Sequence, residues 1–218
     1  MFGQILYTQV KWSRAAVAVL SAIAFVLPAL LWRAVHQGWM REYSALEVMR
    51  GFAVLGPALG VVAFFVGFIL VAQAWAADAA TRHVYALSLP IPWARYVALR
   101  YGAGALLLLV PTIALWLGVM LILSLVTIPE SLNAYPGTVT LRFLLAALFS
   151  YSVMFALQYL SGKRAAYILL TALVGVFAFS LVLGLAGYGE VVDAVTGALL
   201  RWPGPLAVFA SDWMLVDV

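Results

Sequence analysis

Charged side chains make up only 9% of this 218-residue chain, against about 25% in an ordinary soluble domain. That scarcity excludes a water-soluble surface whatever the fold. Cysteine is absent, which excludes disulfides, thiolate metal sites and a cysteine nucleophile. Histidine occurs twice, as His36 and His83, in segments that the topology below puts on opposite sides of a membrane, so the two cannot share a metal. No HExxH, Walker A sequence or Gly-rich phosphate loop is present, and Ser and His are in no triad-like spacing. The expected spans carry no midplane acid, which disfavours an ion-coupled carrier. The chain is thus expected to be no enzyme, with no catalytic, cofactor-binding or metal-binding residue, and any energy for transport is borrowed from a partner.

What is present is apolar: 67% of residues are hydrophobic, in blocks of twenty or more, long enough to cross a hydrocarbon core about 30 Å thick. The fold class expected is all-α, a single polytopic transmembrane helix bundle over 1–218. Five spans fall at about 15–32, 51–77, 96–127, 142–161 and 165–187. The third is longer than the bilayer core and must tilt, kink near Pro111 or project into water. Residues 2–14 read as an interfacial helix with Phe2, Ile5, Leu6 and Val10 on one face and Gln4, Tyr7, Thr8, Lys11 and Arg14 on the other. In the second span Gly56 and Gly60 form a small-xxx-small pair that can bring helices close. The tail, 188–218, is apolar but interrupted by Glu190, Asp193, Arg201, Asp212 and Asp217. It reads as re-entrant or interfacial, with a sixth span as the alternative.

The basic residues sit singly at helix ends, as in membrane proteins, and form no stripe for nucleic acid. Counting Lys and Arg favours a cytoplasmic N-terminus: Lys11, Arg14, Arg82, Arg95, Arg100, Lys163 and Arg164 then lie inside, against Arg33, Arg41, Arg50, Arg142 and Arg201 outside.

The most informative stretch joins the second and third spans. Residues 79–89 can form a short surface helix, with Val84 and Leu87 on one side and Arg82 and Tyr85 largely elsewhere, stopped by Pro90 and Pro92. Such an element, joined stiffly to two spans, can pass a push from a docked partner into the bundle. A plain proline-capped loop fits the residues equally well.

At this stretch, through Thr81, Leu87, Leu89-Pro90-Ile91, Arg95 and Arg100, the sequence resembles the type-2 permease family of ATP-binding-cassette (ABC) transporters. The layout is also similar: an amphipathic N-terminal helix, a coupling helix between spans two and three, a tight turn at 162–164 and re-entrant elements after span five. Where that family usually has acidic residues in the coupling helix, Arg82-His83 stand here, with Asp78 upstream. The resemblance implies a subunit of an ATP-driven transporter, an exporter of a hydrophobic or amphipathic substrate in a bacterial inner membrane. Its implied partners are a cytoplasmic ATP-binding subunit holding ATP and Mg, a second permease subunit of the same or a related chain, and membrane lipid. Partner-coupling residues would be Asp78, Thr81, Arg82, His83, Tyr85, Leu87 and Leu89. The substrate path is expected along spans two and five, at Phe64, Phe65, Phe68, Gln73 and Trp75. The competing reading is a non-catalytic scaffold subunit of a larger membrane complex.

Overall fold

The computed structural model describes residues 2–35, 43–53, 55–80, 92–161 and 189–200, with scattered positions from 164 to 182 and from 204 to 217. Among them are four helices or helix pairs long and apolar enough to cross a membrane: Phe2–Val35, Ala45–Ala76, Trp93–Leu125 and Pro136–Tyr159. The architecture is an all-α polytopic bundle. Its elements are α1 (Phe2–Val35), α2 (Ala45–Ala53), α3 (Leu55–Ala80), α4 (Trp93–Leu107), α5 (Leu109–Leu125), α6 (Pro136–Ser161), α7 (Gly189–Leu200) and α8 (Ala207–Ala210). A two-residue antiparallel ladder joins β1 (Asn133–Ala134) to β2 (Val216–Asp217).

The expected interfacial helix at 2–14 and the expected first span at 15–32 run on continuously in α1. α1 is one helix of 34 residues, roughly 51 Å at 1.5 Å per residue. Its buried positions, Ile5, Gln9, Ser13, Leu20, Ala24, Pro28 and Trp32, recur three or four residues apart and form one stripe along its whole length. Residues 2–14 contain no helix breaker beyond Gly3, so nothing ends the helix at 14. Their packed face runs through Gln9 and Ser13, while Val10 and Tyr7 are exposed.

The second span begins earlier than expected. Ser44 and Glu47 form a capping box: the Ser44 backbone N–H donates to the Glu47 carboxylate at 2.9 Å, and the Glu47 N–H donates back to Ser44 Oγ at 3.4 Å. Pro57 falls in the first turn of α3, where its missing N–H costs no hydrogen bond. The third span is divided at Leu108. Pro111 has no N–H to offer the carbonyl four residues back, and the ladder breaks there. Of the expected fifth span, 165–187, only scattered positions are described; these are helical and exposed.

Helices that run in the same direction pack closest. α1 lies along α4 and α5, with Gln9 beside Gly104 and Phe25 beside Gly118; α3 lies along α6, with Phe64 beside Ser150 and Trp75 beside Phe155. In lipid the hydrophobic effect does not drive helices together, so close van der Waals approach carries the association. A Cβ at Gly118 would overlap the Phe25 carbonyl, and one at Gly67 would overlap the Ala147 carbonyl. The expected pair, Gly56 and Gly60, has tail residues as its nearest described neighbours. Gly60 makes room for the Phe209 backbone and Gly56 for the Trp213 side chain, so both glycines seat the tail.

The core runs the length of the bundle. At the end carrying Val35 and Ala45, here the far end, Trp32 packs against Phe52 and Tyr43. In the middle lie Leu59, Val66, Leu70, Leu115, Phe143 and Tyr151. The far end also carries the ladder, where the Tyr135 N–H donates to the Leu215 carbonyl at 2.7 Å. The near end carries Phe2, Ala80 and Trp93.

Candidate functional site

A cavity of about 900 Å³ lies between α2, α3, α6 and the tail. Three of the five residues expected along a substrate path, Phe64, Phe65 and Phe68, are in its wall, joined by Phe149 of α6 and Phe209 of α8. Phe64 stacks on Phe68 at 6.2 Å between ring centres, and Phe209 meets both Phe64 and Phe149 edge-on. Among the described residues, those that line it are all non-ionisable. Ser150 contributes a hydroxyl, but it donates to the Phe64 carbonyl at 2.7 Å.

Gln73 and Trp75 are not in that wall. Gln73 is exposed. Trp75 lies two turns below Phe68 and joins a separate aromatic block at the near end, against Phe155 at 5.8 Å, with Tyr101 and Tyr151 beyond. This block also holds polar groups from three helices: the Gln9 side chain hydrogen-bonds the Tyr151 hydroxyl, which donates to the Tyr101 carbonyl at 3.2 Å, and Tyr101 and Ser152 share a hydrogen bond of 2.7 Å.

The far side of the cavity is closed by the tail. Arg142, on the first turns of α6, donates from Nε to the Val208 carbonyl at 3.2 Å and from Nη2 to the Ala207 carbonyl at 2.9 Å. Its guanidinium lies 5.1 Å from the Trp213 ring centre. These carbonyls belong to the four-residue helix α8, and the arginine supplies N–H donors to them.

The sequence of residues 45–197 matches the family model described as ABC-2 family transporter protein. The chain belongs to the ABC-2 transporter family. Comparison with curated proteins and with solved structures returned no match. The chain is an integral membrane protein and the transmembrane component of an ABC transporter, a family whose permeases work with a separate ATP-binding subunit.

Of the permease's expected coupling residues, Asp78 falls in the last turn of α3, with its side chain outside the described residues. Thr81, Arg82, His83, Tyr85, Leu87 and Leu89 lie outside them altogether. What the structure shows is how the two ends of that connection are held. Arg100 of α4 is 2% exposed. It donates to the Ala74 carbonyl at 2.7 Å and to the Tyr96 hydroxyl at 3.0 Å, and its guanidinium lies 4.6 Å from the Trp75 ring centre and 5.7 Å from that of Tyr96. The end of α3 and the start of α4 are thereby clamped through one buried cation. Reading the sequence placed Arg100 in the family motif without giving it a contact. A charge one turn inside an apolar span was the available signal, since such residues need partners.

Proposed function

We propose that this permease subunit exports a hydrophobic or amphipathic cargo through the Phe-lined cavity, driven by a cytoplasmic ATP-binding subunit that holds ATP and Mg. The bundle pairs with a second permease chain, the same or related, in a bacterial inner membrane with surrounding lipid, and its N-terminus is cytoplasmic. The observation that carries the reading is the cavity itself: 900 Å³ is the size of a small-molecule site, and its wall is built by the second and fourth spans and the tail. The near-end aromatic block separates the cavity from the end that the distribution of Lys and Arg makes cytoplasmic. The cavity therefore stands on the release side of an exporter. Family membership supports transport over the scaffold reading.

The push from ATP closure enters at 79–89 and is carried by the Arg100 clamp into α3, whose far half forms the cavity wall. The test is co-purification with its ATP-binding subunit, reconstitution, and ATP hydrolysis by the complex. Leu87→Asp or Leu89→Asp is expected to leave the complex assembled and to remove at least nine-tenths of the cargo-stimulated hydrolysis. Full stimulation in assembled variant complexes would refute coupling through this segment.

A further inference from the structure

The near end of the bundle is short of negative charge. α1 contains no acid. The chain has none between Asp78 and Glu130, and none between Glu130 and Glu190. Every acid other than Asp78 lies in α2 or its approach, just before β1, or from α7 onward. Asp78 itself sits one turn past Ala74, on the helix end that Arg100 clamps to α4.

Against that background two bases stand together on the outer side of α1. Lys11 and Arg14 are exposed and three residues apart, so they are neighbours on one helix face. Tyr7, 69% exposed, is one turn closer to the near end on the same face. From Arg14 the next charge along α1 is Arg33, roughly 28 Å away at 1.5 Å per residue and close to the thickness of the hydrocarbon core. Arg14 therefore marks the near hydrocarbon boundary, and Lys11 and Tyr7 lie in the headgroup layer. Like charges one turn apart repel each other, more strongly where the dielectric constant falls. The counter-charge has to come from outside α1.

Beyond Arg14 the same face continues through Ala18 and Ala22 to Phe25. Both alanines are exposed, and the bulkier Val19 and Val26 stand exposed along one edge of them. The face has a cationic head and a shallow apolar slot leading into the hydrocarbon.

We infer that this face of α1 binds one anionic phospholipid of the near leaflet. Its phosphodiester sits between Lys11 and Arg14, the Tyr7 hydroxyl donates to the headgroup, and one acyl chain follows Ala18, Ala22 and Phe25. This goes beyond the export reading and does not depend on what the cavity carries. Lysine and arginine both make charge-assisted hydrogen bonds to phosphate oxygens, and bases beside an anionic leaflet are drawn to its headgroups. A zwitterionic lipid brings an ammonium with its phosphate. That ammonium would be a third cation beside two, and α1 has no acid to receive it. A free phosphate would meet the bases but leave the slot unused, so the slot commits the site to a lipid.

The experiment uses the full-length protein in phosphatidylcholine nanodiscs that contain a minor fraction of phosphatidylglycerol with a diazirine on one acyl chain. A phosphatidylcholine with the same diazirine is the matched neutral probe, and labelling is mapped by mass spectrometry. Exposed Ile113 and Trp116 of α5 report contact with bulk lipid. The phosphatidylglycerol label is expected on residues 18–25 at least tenfold above the matched probe, with equal labelling of Ile113 and Trp116 by the two. Lys11→Gln with Arg14→Gln is expected to remove at least nine-tenths of the excess. Arg33→Gln with Arg50→Gln, which takes two exposed bases from the far end, is expected to leave it unchanged. Ala22→Trp fills the slot from an exposed position and is expected to drive the label off Phe25. Inorganic phosphate in excess is expected not to compete.

Equal labelling of 18–25 by the two lipids overturns the inference, as does a loss of the excess that is the same for the far-end pair. Competition by inorganic phosphate would show a site for a soluble anion and overturn it too. So would exclusion of the label from 18–25 in the assembled transporter, which would make this face a contact with a second permease chain.

Discussion

Replacing Arg100 tests the clamp that joins the second and third spans. In Arg100→Ala two hydrogen bonds from a charged donor are lost, each worth about 1.5–3 kcal/mol, with a desolvated cation–π contact of about 2 kcal/mol. Against that loss, a guanidinium no longer has to be held out of water, which returns several kcal/mol. The Ala74 carbonyl lies within α3, so it is not left stranded. The balance is a destabilisation of about 2–4 kcal/mol at a side chain that is only 2% exposed. Arg100→Lys keeps the charge but replaces a planar fork by a point cation, which cannot reach the Ala74 carbonyl and the Tyr96 hydroxyl in the same geometry. A loss of about 1–2 kcal/mol is expected for it. The assay is reversible unfolding in mixed micelles followed by tryptophan fluorescence, with ATP hydrolysis of the reconstituted complex measured alongside. Lys should lose more coupling than its stability loss explains, because the clamp is loosened without being emptied. An Arg100→Ala protein as stable as the parent to within 0.5 kcal/mol, roughly the scatter of surface substitutions, would refute the claim that this cation holds the two spans together.

Three further outcomes follow from the packing. Gly67→Ala and Gly118→Ala each put a Cβ into a neighbouring backbone carbonyl and are expected to cost about 1–3 kcal/mol; Gly102→Ala, whose Cβ would meet only Phe2 at 3.9 Å, is the harmless control in the same unfolding assay. Arg142→Leu removes the donor that caps α8, and hydrogen exchange at 206–210 is expected to accelerate at least tenfold, with α1 unchanged as internal reference. Ser44→Ala breaks the capping box and should cost about 1 kcal/mol, read as faster exchange in the first turn of α2.

The four spans among the described residues were legible because hydrocarbon imposes one requirement, an unbroken apolar run, that sequence displays directly. The break before Pro111 was legible for the same kind of reason, since proline acts locally. The contacts between helices were not. The chain has seventeen glycines, and which of them touch depends on pairing. Gly67 and Gly118 matter because α3 meets α6 and α1 meets α5, which nothing local announces. The amphipathic pattern of residues 2–14 placed Gln9 on no face in particular, yet it is buried, with its amide N–H donating to the Tyr151 hydroxyl of α6. Within the cavity, Phe64, Phe65 and Phe68 were chosen by residue type and lie together because they share one side of α3. Gln73 is five residues beyond Phe68, about 140° around the helix, and so points away. Trp75 shares the side of Phe68 but sits two turns lower, where Arg100 and Phe155 claim it.

The parallel pairing of α1 with α4 and α5 sets an order for biosynthesis. A hairpin partner emerges from the ribosome at once, but α1's parallel partners do not. The hydroxyl that meets the Gln9 amide comes 142 residues later in the chain, at Tyr151. At about 5–20 residues per second that is roughly 7–30 s during which an amide and the Ser13 hydroxyl wait in the near end of α1 without their final surroundings. The insertion machinery or the headgroup region must shelter this part of α1 until the fourth span arrives. The bundle closes only when Tyr151 does.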